Sequence, residues 1–316
     1  MKMPSLHDPW FVAVWPGMGR VARRAGEHLV EQLDVDYLGD YDVAQFFELD
    51  HVTVEQGVIS PGARPRCLVF LWQDPAQRHD VILLLAESQP TFGAYALCEQ
   101  LMRQVAEWGV TRVIAFAAMA TQLHPSEPAR VFGAATDEAL LGELEQRQVE
   151  PLTEGQISGL NGLMLAAAQA HGIEGACLLG ELPYFAVQVA NPKASRAVLE
   201  VFTQMAGIEM DFTDLDREAA QIDEQLIQLL DRLQESGDAE DEGEGEDFPV
   251  EPLAEQQQSF ADEVPLDPPT KRRIEQLFVQ ARQDRSKAFE LKRELDRLGV
   301  FEQYEDRFLD LFTHGE

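Results

Sequence analysis

The sequence predicts an α/β protein: a three-layer α/β/α sandwich on a mainly parallel sheet, followed by a C-terminal α-helical tail. Three observations lead there. Short runs that are apolar throughout and β-branched, such as "CLVFLW" and "VILLLA", recur along the first 235 residues, as strands covered on both faces require. Amphipathic helical patterns separate them, which is the alternation of a parallel sheet with crossover helices. Composition then breaks sharply at residues 236–269 before helical periodicity returns.

Taken in order, the strand candidates are "FVAVW" (11–15), "HVTVEQGVI" (51–59), "CLVFLW" (67–72), "VILLLA" (81–86), "RVIAFAA" (112–118), "RVFGAA" (130–135) and "ACLLGE" (176–181). Helical patterns fall at 20–33, 93–108, 137–146, 159–171, 193–206 and 213–235. The last carries Leu215, Ala219, Ile222, Leu226, Leu229, Leu230 and Leu233 on one stripe. Residues 1–235 are therefore expected to form the α/β/α core domain. The stretch 236–269, "SGDAEDEGEGEDFPVEPLAEQQQSFADEVPLDPP", is rich in Gly, Pro, Asp and Glu and poor in core formers, so it is expected to be a disordered linker. Residues 270–316 form the tail. Ile274, Leu277, Ala281, Ala288, Leu291, Leu295 and Leu298 make a seam broken at Asp284, Gly299 reads as a stop, and Phe301, Tyr304, Phe308, Leu311 and Phe312 mark a second short helix. Neither helix can bury its stripe alone. Leu291, Leu295, Phe308 and Leu311 are the expected anchors on a protein surface.

Charge and cysteine usage narrow the function classes. The formal net charge is −31, and residues 271–316 hold ten basic and ten acidic residues, so the whole deficit falls on residues 1–270. Such a body repels phosphate backbones, and no nucleic-acid partner is expected. No apolar run reaches the ~20 residues that cross a bilayer. The opening "MKMPSLHDPWFVAVW" lacks the pattern of a secretory leader, so the reading is a cytoplasmic protein without a membrane partner. Cys67, Cys98 and Cys177 lie far apart in apolar stretches. They read as small core residues, and no metal site is expected.

Two glycine clusters are candidate ligand turns. In "FVAVWPGMGRVA", Gly17, Gly19 and Ala22 fall on the spacing G-x-G-x-x-A after a strand and before a helix. A parallel α/β fold needs such turns for its own path. Arg20, Arg23 and Arg24 are spread around the helix rather than gathered on a phosphate, so the turn is expected to be structural. In "GQISGLNGLML" the Lys-Ser/Thr ending of a phosphate loop is missing, and Ser158 is positioned to cap a helix beginning at Gly159. Neither cluster predicts a cofactor. Polar residues also gather after strands: Glu87, His124 and Glu181. With Gly17 and Gly19 they mark a candidate ligand edge where open α/β sheets usually hold ligands, and a carboxylate pair with a histidine could do acid–base work. No nucleophile elbow and no zinc-protease motif accompanies them, and no catalytic residue is assigned.

The opening strand with its "PGMG" turn, "LLLAESQP" (83–90), "RVFGAATDEAL" (130–140), "GQISGLNGLMLAAAQAHGIEGACLLGELPYF" (155–185) and "NPKASRAVLEVF" (191–202) together resemble the proteasome assembly chaperone family, in its bacterial and archaeal branch, over residues 10–233. The resemblance implies a phosphorylase/hydrolase-like α/β/α core. It implies a role in protein assembly rather than an established reaction. It also implies homo-oligomers, trimers included. Some archaeal relatives bind a proteasome through a C-terminal hydrophobic-Tyr-any motif, whereas this chain ends "LFTHGE". The expected function is a non-catalytic, homo-oligomeric assembly or interaction protein with a further protein partner. The alternative is an enzyme or small-ligand binder using Gly17, Glu87, His124 and Glu181.

Overall fold

The opening strand, β1 (Trp10–Val14), is buried at all five positions because its side chains alternate into two separate cores. The structure, a computed structural model, describes residues 3–48 and 52–238 together with Ile274, Leu277, Phe278 and Leu291. After β1 come α1 (Val21–Gln32), β2 (Asp36–Asp40), β3 (Val52–Glu55), β4 (Val58–Pro61), β5 (Cys67–Trp72), β6 (Val81–Ala86), α2 (Ala94–Glu107), β7 (Arg112–Thr121), β8 (Val131–Ala135), α3 (Glu138–Glu145), β9 (Glu150–Pro151), α4 (Gly159–Ala170), β10 (Glu174–Pro183), α5 (Pro192–Ala206) and α6 (Thr213–Asp238).

Eight strands form one sheet in the order β2-β5-β6-β1-β7-β10-β8-β9, and β3 and β4 form a separate ribbon. The centre, β6-β1-β7-β10, is parallel, and β9 also runs parallel to β8. The pairs β2-β5, β5-β6 and β10-β8 are antiparallel. The sheet is thus mixed at its flanks. Wholly apolar strands report two-sided burial and not direction, so the sequence pattern could not reveal this.

Odd and even positions of β1 separate the two cores. Trp10, Val12 and Val14 join Ala22, Ala25, Leu29, Val198, Phe202 and Leu215 beneath α1, α5 and α6. Phe11, Ala13 and Trp15 join Leu97, Leu101, Met102, Leu160 and Met164 beneath α2 and α4. Each such fully buried large side chain stabilises the fold by about 1.5–3 kcal/mol. Helix starts follow local chemistry. The Asp137 side chain accepts from the Leu140 N–H at 2.9 Å, and the Asn191 side chain accepts from the Ala194 N–H at 2.9 Å.

Several expectations change in detail. The run 51–59 is a hairpin and not one strand. Gln56 and Gly57, at φ of 50° and 83°, make a two-residue turn inside it. β2, with the polar sequence DYLGD, and the two-residue β9 were not anticipated. Ser158 precedes α4 as expected but forms no capping bond; Gln89 Oε1 accepts from the Leu160 N–H instead, at 3.3 Å. Along α6, Leu215, Ala219 and Leu226 are buried, while Leu229 is exposed. The chain's contacts divide it into two units, Met1–Glu242 and Gly243–Glu316. In the second unit, Ile274, Leu277, Phe278 and Leu291 are helical and buried. The remainder of the expected linker beyond residue 238 and of the tail, including Leu295, Phe308 and Leu311, lies outside the described residues.

Candidate functional site

Because β6, β1, β7 and β10 run parallel, their C-terminal ends and following loops share one edge of the sheet. β2 points the same way, so the loop carrying the β3–β4 ribbon rises from that edge too. All five candidate ligand-edge residues lie on this side.

The glycine turn after β1 is closed by its own backbone. Gly19 sits at φ 58°, is buried, and donates its N–H to Val187 O at 2.7 Å; its carbonyl accepts from the Asn191 N–H at 2.8 Å. A Cβ there would fall 2.6 Å from Leu182 Cδ2. The Gly19 amide that could have faced a phosphate therefore secures the loop after β10. Gln89, after β6, donates to Pro16 O at 2.8 Å and accepts from Leu160 N, stapling three loops over this corner. Two buried polar atoms there have no protein partner: Trp15 Nε1 and Asn161 Oδ1.

The other candidates are each tied locally. Glu87 is exposed; its carboxylate accepts from the Arg66 N–H at 2.9 Å, and its own N–H donates to Arg66 O at 2.9 Å, extending the β5–β6 ladder. His124 is exposed, and its Nδ1 lies 2.7 Å from Ser126 Oγ inside a turn. Glu181 is 1% exposed. It accepts from Thr121 Oγ1 at 2.7 Å, from Arg130 Nη2 at 2.6 Å and from Arg130 Nε at 2.9 Å. Burial pushes the Glu181 carboxyl up, but these donors outweigh it and hold the group below the usual carboxylate range. Among the described residues, no hydrogen bond or ion pair joins Glu87, His124 and Glu181 to one another. The geometry is a set of separate braces and not an acid–base pair.

This edge also presents large apolar side chains to solvent. Eleven large hydrophobic side chains are exposed among the described residues. Nine of them, Met18, Val52, Val54, Val58, Ile59, Phe92, Tyr95, Tyr184 and Val189, sit in the loops, ribbon and helix start at this one edge. Phe46 and Phe47, between β2 and β3, are not among them. They are buried beneath α2, with Phe46 against Gly93.

The opposite edge, where the central strands begin, is built differently. A cleft of about 700 Å³ opens there among Asp8, Trp10, His79, Arg112, Glu143 and Glu174. Trp10 is stacked by His79 at 4.4 Å and carries the Arg112 guanidinium at 4.8 Å. Arg112 pairs with Glu143 at 3.0 Å and Glu174 at 2.7 Å, and His79 Nδ1 lies 2.8 Å from Asp8 Oδ2. No motif announced this cluster, because its members come from separate loops, strand starts and α3.

The three cysteines are buried and free, and burial pushes each thiol up to about 12. Among the described residues, no group of three or more His, Cys, Asp or Glu is placed to hold a metal ion, and no helix is long and apolar enough to cross a membrane.

The fold is a three-layer α/β/α body whose candidate edge residues are each tied locally, beside exposed apolar side chains on the same edge. The sequence pattern of the PAC2 family matches residues 11–230, and the chain belongs to that family. It is 29% identical over 225 residues to an uncharacterized protein of Methanocaldococcus jannaschii, a match covering 70% of this chain and 82% of the relative. Among solved structures it is similar to Pyrococcus furiosus PbaB, an archaeal proteasome activator, with TM-score 0.61 and 26% identity, covering 72% of this chain and 96% of the other. P. furiosus PbaA, an archaeal homolog of proteasome-assembly chaperone, matches at TM-score 0.54 and 24% identity, covering 74% and 97%. At that identity PbaA speaks for the fold alone.

Proposed function

We propose that this protein is a non-catalytic, chaperone-like interaction scaffold of the cytoplasm, homo-oligomeric, whose apolar strand-C-terminal edge receives another protein. One observation carries the reading: nine of the eleven exposed large apolar side chains lie at the sheet edge where an α/β enzyme would keep its polar machinery. Exposed apolar patches of this kind mark protein contacts. The likeness to PbaB, an archaeal proteasome activator, supports a role directed at another protein. The tail, anchored by Leu291, Leu295, Phe308 and Leu311, is a second docking element in this reading.

The test is affinity capture from the native host with the full chain, compared with a variant carrying Met18→Asp, Tyr184→Asp and Val189→Asp. The reading expects partners that the variant loses while its melting is unchanged. Identical capture by both proteins would remove the edge from the account.

A second reading, a small-ligand site at the same edge, is favoured by one observation. Trp15 Nε1 and Asn161 Oδ1 are buried without protein partners near Gly17 and the start of α4, and buried polar groups are usually satisfied. Calorimetry with NAD, ATP and GTP checks it. Micromolar binding of any of them would favour the ligand site.

A further inference from the structure

Two side chains at the corner between the end of β1 and the start of α4 are buried without the partners their chemistry demands. Trp15 is fully buried, and its Nε1–H meets no acceptor. Asn161, the third residue of α4, is 5% exposed, and its Oδ1 meets no donor. An asparagine at a helix start ordinarily bonds back to nearby backbone. Here no hydrogen bond joins the Asn161 side chain to any other described residue. Both groups flank one stretch of chain. Trp15 shares a core with Leu160, the neighbour of Asn161. A Cβ on Gly17 would meet only Asn161 Nδ2, at 3.9 Å. Gly17 is exposed and brings no side chain of its own to cover that amide.

The unpaired groups select what fits. A hydrocarbon would leave both of them unsatisfied. An anion is disfavoured: among the described residues no cation bonds to Trp15 or Asn161, and the chain carries −31, so a buried carboxylate would lose its hydration without a counter-charge. What remains is a neutral group that sets a donor beside an acceptor. A carboxamide is such a group. Its carbonyl accepts from Trp15 Nε1, its NH2 donates to Asn161 Oδ1, and the edge of the Asn161 amide, itself a donor beside an acceptor, matches it. The chain already holds one carboxamide in this way at the adjacent positions. Gln89 Oε1 accepts from the N–H of Leu160, the residue before Asn161, at 3.3 Å. Gln89 Nε2 donates to the carbonyl of Pro16, the residue after Trp15, at 2.8 Å.

We propose that Trp15 Nε1 and the Asn161 side chain together hold one carboxamide group of a ligand. The inference rests on the small-ligand reading above and names the ligand's chemical class. The test follows the indole N–H signals of the isotope-labelled full chain by magnetic resonance. The chain has four tryptophans, and Trp15→Phe identifies the signal that matters. Nicotinamide and nicotinate, alike in shape and different in charge, are titrated to millimolar concentration, with L-glutamine and L-glutamate as a second matched pair. The amides are expected to shift the Trp15 signal at least fivefold more than the acids do. Asn161→Ala, which adds no volume and suits a helix, is expected to lose that response and to melt no lower than the wild type, because it removes no bond within the protein. Shifts from the acids equal to those from the amides keep a ligand site and overturn the carboxamide. Silence toward all four probes overturns the carboxamide and leaves the two atoms to solvent, with nucleotide calorimetry the remaining test of the small-ligand reading. A clearly lower melting of Asn161→Ala makes Asn161 a fold residue and overturns the site.

Discussion

The two edges of the central sheet use the same kinds of side chain in opposite ways. At the N-terminal edge Trp10 is 3% exposed, held between an imidazole that lies against Asp8 and a guanidinium that is ion-paired. At the C-terminal edge Tyr184 is 50% exposed, touching Phe185 but facing water. One aromatic is spent on folding and the other is left available. The difference teaches that a ligand-edge position in an α/β fold does not by itself imply a ligand. What matters is whether its polar groups converge, and here they brace separate loops.

The largest way to sharpen this contrast is Trp10→Ala. Removing a buried aromatic from the N-terminal edge should cost about 3–5 kcal/mol, read as a lowered urea midpoint with an unchanged slope. A loss under about 1 kcal/mol would mean that the cleft beneath it relaxes and that this edge is not structural.

Next is Glu181→Ala. Its carboxylate satisfies Thr121 and Arg130 from a buried position, and leaving those donors without it should cost roughly 2–3 kcal/mol. Were Glu181 a catalytic group instead, its removal would leave stability nearly intact.

The same carboxylates predict a pH dependence. Glu181 is held below the usual range as described above. The Arg78 side chain, foremost, holds Asp74 well below that range against its burial. Both folded values lie beneath the unfolded ones, so their stabilisation is present above an unfolded value of about 4 and is lost as pH falls through the folded values. Urea midpoints at pH 7, 5 and 3 should therefore drop mainly between the last two, and less steeply in Glu181→Gln. A flat profile between pH 5 and 3 would contradict the pairing.

The smallest stability effect belongs to the C-terminal edge. Tyr184→Ala should stay within about 0.5 kcal/mol of wild type, as exposed substitutions do. A large destabilisation there would make Tyr184 a fold residue and erase the contrast.

Much of this body is legible in the sequence because burial on both faces leaves a strong mark. "CLVFLW" and "VILLLA" are β5 and β6 at their expected bounds, and the six core helices stand where periodicity places them. What escaped has physical reasons. DYLGD of β2 is half polar because the strand lies at the sheet's border, where one flank is unpaired. The ribbon hid inside one β-branched run, since Gly57 alone marked the turn. The candidate site was legible by position but not by use. Glu87, His124 and Glu181 do sit at the strand ends, but hydrogen-bond direction decides their role, and a sequence does not carry it. The exposure of Met18, Tyr184 and Val189 beside the burial of Phe46 and Phe47 follows from how loops fold back, which periodicity cannot register.

Hydroxyl-radical footprinting of the chain, free and bound to the partner recovered by affinity capture, tests the central claim most directly. The account predicts that Met18, Phe92, Tyr95 and Tyr184 lose labelling in the complex while Tyr37 on β2 and His79 at the opposite edge keep theirs. Equal labelling of the four edge residues in both states, or protection confined to the His79 side of the molecule, would contradict it.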